Sequence, residues 1–163
     1  MQTVPGTKRR GECRCDIQPD AAHNELFAFC ILNYRRLSLW GPVIVYMAAI
    51  FYVSSLHEAP LPPGVGDKPA HAFGYFGLGV VIARALAGGL PPRLTLRQAL
   101  IGLAIAALYG VTDEWHQSFV VGRSADIADW YSDAIGSAIA LFACWAWSII
   151  SRRSRRSAAG SRR

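Results

Sequence analysis

Long uncharged runs alternate with short polar segments along this chain, and their lengths predict helices. Residues 38–56 are uncharged and mostly apolar. Coiled as a helix they span about 28 Å, close to the roughly 30 Å hydrocarbon core of a bilayer. Pro42 falls in the first turns of that run, where a missing N–H costs little. A loop rich in Pro and Gly follows, with Pro60, Pro62, Pro63, Gly64 and Gly66. Residues 69–88 form a second run whose single charge, Arg84, lies near its far end and can snorkel to the interface. After a turn at 89–94, residues 98–119 form a third run that ends in acidic residues. Residues 134–151 form a fourth, preceded by Trp130 and Tyr131. The pattern predicts an all-α fold, a transmembrane helical bundle of four spans.

The ends differ from the middle. An apolar stretch at 26–32 is too short to span a bilayer, stops at Arg35-Arg36 and offers no signal-type cleavage site. Residues 1–36 are expected to be a polar, disordered N-terminal tail. Residues 37–151 are expected to form the membrane domain, and 152–163 a basic C-terminal tail. Small residues at Gly74, Gly77, Gly79 and Gly136 predict close helix contacts. No strand precedes them, so they are not read as a nucleotide fingerprint.

Composition agrees with a membrane. The 163 residues are 52% hydrophobic and 17% charged, too apolar for an ordinary soluble domain. A net charge of +6 would suit nucleic acid only if the basic residues clustered on one surface. Instead they gather in the two tails and at Arg84, Arg93 and Arg97, which four spans place on one face. Only Lys68 and Arg123 fall on the other. This asymmetry predicts a multi-pass inner-membrane protein with both termini cytoplasmic, partnered by the lipid bilayer and not by nucleic acid. Beyond residue 56 every acid belongs to the outer half: Glu58, Asp67, Asp113, Glu114, Asp126, Asp129 and Asp133. Trp115, Trp130 and Tyr131 at one boundary, and Trp40, Trp145 and Trp147 towards the other, fit two aromatic belts. Cys13, Cys15, Cys30 and Cys144 give no disulfide framework, and Cys13-Arg14-Cys15 lacks the second ligand pair that a metal site needs. His23 and His57 lack partners at helical spacing and are read as solvated or interfacial.

Helical spacing sorts the outer polar residues into three stripes. Asp67, His71 and Tyr75 share one, Asp113, His116 and Gln117 a second, and Asp126, Asp129 and Asp133 a third. Charges at membrane depth cost on the order of 3 kcal/mol each, so the stripes must face one another. Such a cluster admits several uses. Asp67/His71 and Asp113/His116 have spacings seen in metal-binding bundles, which makes His71, Asp113 and His116 metal candidates, although no metal is assigned. Buried carboxylates beside a histidine also suit acid–base or relay work, with Asp113, Glu114, His116 and His71 as catalytic candidates. A third use is a cup that binds a headgroup or glycan through Asp67, Lys68, His71, Tyr75, Gln117, Arg123, Asp126, Asp129 and Asp133. A fourth is a structural network in which Lys68 and Arg123 neutralise the acids.

Together these motifs resemble the VanZ-like family of small bacterial membrane proteins. The resemblance rests on Asp67-Lys68-x-x-His71-x-x-x-Tyr75, Asp113-Glu114-x-His116-Gln117, Gly122-Arg123, Asp126-x-x-Asp129 and Asp133-x-x-Gly136, and covers about residues 40–150. It implies an α-helical protein of the cell envelope, and its name-giving member is linked to teicoplanin resistance by a route other than remodelling the peptidoglycan stem peptide. The expected function is an outward-facing polar site that binds or handles an envelope lipid or glycan component, with an effect on glycopeptide susceptibility. A membrane-embedded metal- or acid–base-dependent hydrolase or transferase, or a small transporter subunit, is the alternative. Cofactor, reaction and oligomeric state stay open at this level.

Overall fold

The computed structural model describes the backbone of residues 21–57, 64, 66–89 and 93–160, with side chains from 33 to 154. Among these residues all regular structure is α-helical: α1 (Ala21–Ser54), α2 (Asp67–Leu86), α3 (Leu96–Gln117) and α4 (Ile127–Gly160). The chain groups into two units, Met1–Asn33 and Tyr34–Arg163, and the polar cluster lies wholly within the second. Helical structure begins at Ala21, inside the stretch read from sequence as a tail, and α4 carries on through the basic residues to Gly160. Cys13, Cys15 and the side chains of His23 and Cys30 lie outside the described residues. Two segments, 33–54 and 127–154, are long and apolar enough to cross a membrane.

Local sequence explains where the helices start and stop. Thr95 caps α3 in a capping box: its hydroxyl accepts from the Gln98 amide, and the Gln98 side chain accepts from the Thr95 amide. The Gln98 side-chain amide also donates to the Leu86 carbonyl at 2.7 Å, tying the end of α2 to the start of α3. Across the same end, the Leu94 amide donates to the Ser148 hydroxyl at 2.9 Å and so anchors the turn on α4.

The inner faces follow helical spacing. On α3 the buried positions are Ala99, Gly102, Ala106, Gly110, Asp113, Glu114 and Gln117. Its stripe therefore starts with small apolar groups and ends in polar ones. On α2 it runs from half-buried His71 through Tyr75, Leu78 and Ile82 to Ala85, and on α4 from Asp129 and Asp133 through Ser137, Ala140 and Leu141 to Ser148. All three stripes are polar at the same end. The core proper is Val43, Tyr75, Leu78, Ile82, Leu94 and Leu141 with buried alanines.

Small residues let α2 and α4 touch. A side-chain carbon on Gly79 would sit 2.9 Å from the Ser137 carbonyl oxygen and from Ala140 Cβ, and one on Gly136 would strike the Ala72 carbonyl. Both contacts were expected from sequence as small-residue packing. Gly74 differs from that expectation, because nothing lies within 4 Å of its missing side chain.

The outside is the apolar part. Ile44, Val45, Leu100, Leu108, Val111, Ile135, Ile139 and Ile150 are exposed, while Asp113, Asp129 and Asp133 are buried. A water-soluble bundle is ordered the other way. Trp115, Tyr131 and Trp147 are exposed, as expected of interface residues. Trp130 departs from that expectation: it is half-buried, and its indole N–H donates to the Ala107 carbonyl at 3.0 Å.

Candidate functional site

The start of α2, the end of α3 and the start of α4 enclose a polar chamber at one end of the bundle. At its floor, His71 Nδ1 lies 3.0 Å from Asp133 Oδ1, linking α2 to α4. Asp133 is fully buried and the His71 side chain is only 8% exposed. The other ring nitrogen of His71 faces Asp67 at 4.0 Å. The Tyr75 hydroxyl donates to Asp113 Oδ2 at 3.4 Å, and Gln117 Nε2 reaches the same oxygen at 3.5 Å.

The rim closes over this floor. Lys68 Nζ lies 3.0 Å from Asp126 Oδ2 and 3.4 Å from Asp129 Oδ1. The Asp126 amide donates to Glu114 Oε2 at 2.9 Å, and Arg123 donates to Gln117 Oε1 at 3.1 Å. Asp126 also accepts from the Ala128 amide at 2.9 Å, which caps the first turn of α4. That amide, with Lys68 beside it, holds the Asp126 carboxyl below its ordinary range. In return, hydrogen bonding to Asp126 and the charge of Asp129 raise Lys68 above its ordinary value. Gly122 turns the loop with φ +85°, a conformation that a side chain would strain and that brings the loop against His57. His57 Nδ1 is hydrogen-bonded to the Val121 carbonyl, so this exposed histidine has a partner that its own helix could not reveal.

The structure thus gathers Asp67, Lys68, His71, Tyr75, Asp113, Glu114, Gln117, Arg123, Asp126, Asp129 and Asp133 into one chamber. His116 is not among them. Its Nε2 pairs with the Ser55 hydroxyl at 2.9 Å and its ring stacks on Phe51 at 4.1 Å. The expected stripe of Asp113, His116 and Gln117 is corrected accordingly: Asp113 and Gln117 face inward, while His116 faces α1. His116 therefore stands outside this hydrogen-bonded cluster, on a neighbouring pocket that it lines with Asp113.

Beside the chamber lies a cavity of about 300 Å³. Tyr46, Ala49, Ile50 and Val53 of α1 and Gly74 of α2 give it a mainly apolar lining, while Asp67, His71, Tyr75, Asp113 and Arg123 add a few polar groups. The α1 wall was missed in the sequence. Its residues carry no charge and repeat no motif, so only packing reveals them.

A helical bundle with an apolar exterior, with carboxylates and a histidine buried at one end and Lys68 and Arg123 at the rim above them, defines a class: a helical protein with apolar, span-length segments and a largely buried polar site. A sequence model described as VanZ/LLP1 matches residues 50–150, and the chain belongs to that family. No curated protein and no solved structure matches the chain.

Proposed function

We propose that this protein spans the bacterial inner membrane four times and receives the headgroup of an envelope lipid or lipid-linked glycan in its polar chamber. The cavity carries this reading. Its lining is mainly apolar, with a few polar groups from Asp67, His71, Asp113 and Arg123 among it, which suits the chain of an amphiphile whose headgroup reaches the polar chamber. The carboxylates accept hydrogen bonds from sugar hydroxyls or amines, and Arg123 suits an anionic part of the same headgroup. The spans rest on the apolar exterior and on length: α2 beyond Lys68 and the 22 residues of α3 rise about 27 Å and about 33 Å, close to the hydrocarbon core. The distribution of Lys and Arg supports cytoplasmic termini and an outward-facing chamber, and sequestration of an envelope component at the outer leaflet supports a role in glycopeptide susceptibility.

Gly74→Leu tests the reading, because Gly74 lines the cavity and a side chain there starts into open space. Wild-type protein released from native membranes should carry envelope lipid detectable by native mass spectrometry, and Gly74→Leu should lose it at equal protein level. Cells relying on the variant should show the teicoplanin response of a strain lacking the protein. Equal lipid occupancy in wild type, Gly74→Leu and Arg123→Gln would sink the headgroup site. A reporter fused after residue 163 that is active only in the periplasm would sink the orientation.

A further inference from the structure

The carboxylates of the chamber floor exceed the positive charge that reaches them. Lys68 is engaged by Asp126 and Asp129, and Arg123 by Gln117. Tyr75 and Gln117 both donate to Asp113 Oδ2, and the His71 imidazole serves Asp133 directly. Among the described residues three floor oxygens are left over. Asp113 Oδ1, Glu114 Oε1 and Asp133 Oδ2 are buried without a hydrogen-bond partner, on residues 2%, 8% and 0% exposed, and the last two stand together with His71. A buried, unpaired carboxylate oxygen is costly to maintain, and native structures match such atoms with a donor, a proton or a cation.

We propose that His71, Glu114 and Asp133 bind one divalent transition-metal ion of the Mn²⁺ or Zn²⁺ class. Each offers one ligand atom, and the three atoms lie within 4.8 Å of one another. Ligands around such an ion stand about 3 to 3.5 Å apart, so small side-chain rotations close the set. The Asp126 amide already steadies Glu114 through its Oε2, and Asp133 Oδ1 stands 3.0 Å from His71 Nδ1, the nitrogen that would turn from this contact to the ion. Asp67 stands beyond the far ring nitrogen of His71 at 4.0 Å, the position from which a carboxylate orients a ligating imidazole. One imidazole and two carboxylates, with no thiolate, suit Mn²⁺ or Zn²⁺ better than Cu⁺ or Ca²⁺. Three protein ligands leave further positions for solvent or a ligand atom. The ion requires nothing of the headgroup reading, since the metal alone is the probe.

Full-length protein in lipid nanodiscs is titrated with Mn²⁺, with free ion read by electron paramagnetic resonance and Zn²⁺ added as competitor. The expected result is one site per chain, displaced by Zn²⁺, with pulsed spectra showing coupling to an imidazole nitrogen. His71→Gln should abolish that coupling. Asp133→Asn should weaken affinity by at least the roughly 10–100-fold that loss of a mere outer-shell partner costs. His116→Ala, outside the chamber, should bind as wild type. Should Asp133→Asn not fold, Glu114→Gln and the wild-type nitrogen coupling decide the matter. Absence of a saturable site, binding without nitrogen coupling, or binding indifferent to His71→Gln and Glu114→Gln would each overturn the assignment.

Discussion

His71 Nδ1 and Asp133 Oδ1 stand 3.0 Å apart across the α2–α4 seam, one on a nearly enclosed side chain and the other on a fully buried one. Removing one partner strands the other in a medium of low polarity. Asp133→Leu or His71→Leu alone should therefore destabilise the bundle by about 3–5 kcal/mol, and the double replacement by less than the sum. A double-mutant cycle on reversible unfolding in mixed micelles measures the coupling. A value near zero would mean that the two groups do not interact in the folded protein.

Two glycines, Gly136 in the α2–α4 seam and Gly74 on the cavity wall, should respond in opposite senses. Gly136→Ala drives a methyl group into the Ala72 carbonyl and should cost about 1–3 kcal/mol as the helices part. Gly74→Ala meets only open space and should be neutral or stabilising by up to about 1 kcal/mol through helix propensity. Thermal unfolding of the two variants side by side reads both signs.

The rim pair gives a pH prediction, because Lys68 and Asp126 lie outside the runs read as spans. Asp126 is depressed below its ordinary 3.8, so its contribution is present above that value and lost as pH falls through the folded pKa. Lys68 is raised above 10.5, so its contribution is complete below that value and lost only as pH rises through the folded pKa. The melting-temperature difference between wild type and Asp126→Asn should therefore stay constant from about pH 5 to pH 9 and shrink below about pH 4. A difference that varies across the neutral range would show that another group sets the pairing.

His116 should behave as a fastening for α1. His116→Ala removes a hydrogen bond to Ser55 and a stack on Phe51, and should lower stability by about 1–2 kcal/mol. Hydrogen exchange should rise at the end of α1, near Ser54, and stay unchanged at Asp133. Increased exchange on α4 would place His116 in the chamber after all.

Helical spacing made most of the chamber legible, and the exceptions have a geometric cause. Successive residues turn by about 100°, so with Asp113 and Gln117 centred on the bundle axis, Glu114 and His116 fall on opposite flanks. The Glu114 flank meets α4 and takes the Asp126 amide, while the His116 flank meets α1. Spacing could group these residues but not say which flank had which neighbour. Trp130 is half-buried for the same reason: its side of α4 faces α3, where its indole N–H adds a bond to the Ala107 carbonyl inside that helix. The α1 wall of the cavity is visible only once Tyr46, Ile50 and Val53 stand opposite Gly74. Unlike the three polar stripes, a smooth apolar surface has no sequence signature of its own.

Gly136 lies three residues from Asp133, and Ala72 is the immediate neighbour of His71. The backbone contact between them therefore acts as the gauge for the buried pair: the separation of imidazole and carboxylate is metered by a carbon atom that is missing. Grafting the polar residues of this chamber onto another helical scaffold would transfer its functional groups without their spacing. To carry the distances across, the graft would have to take the gap as well.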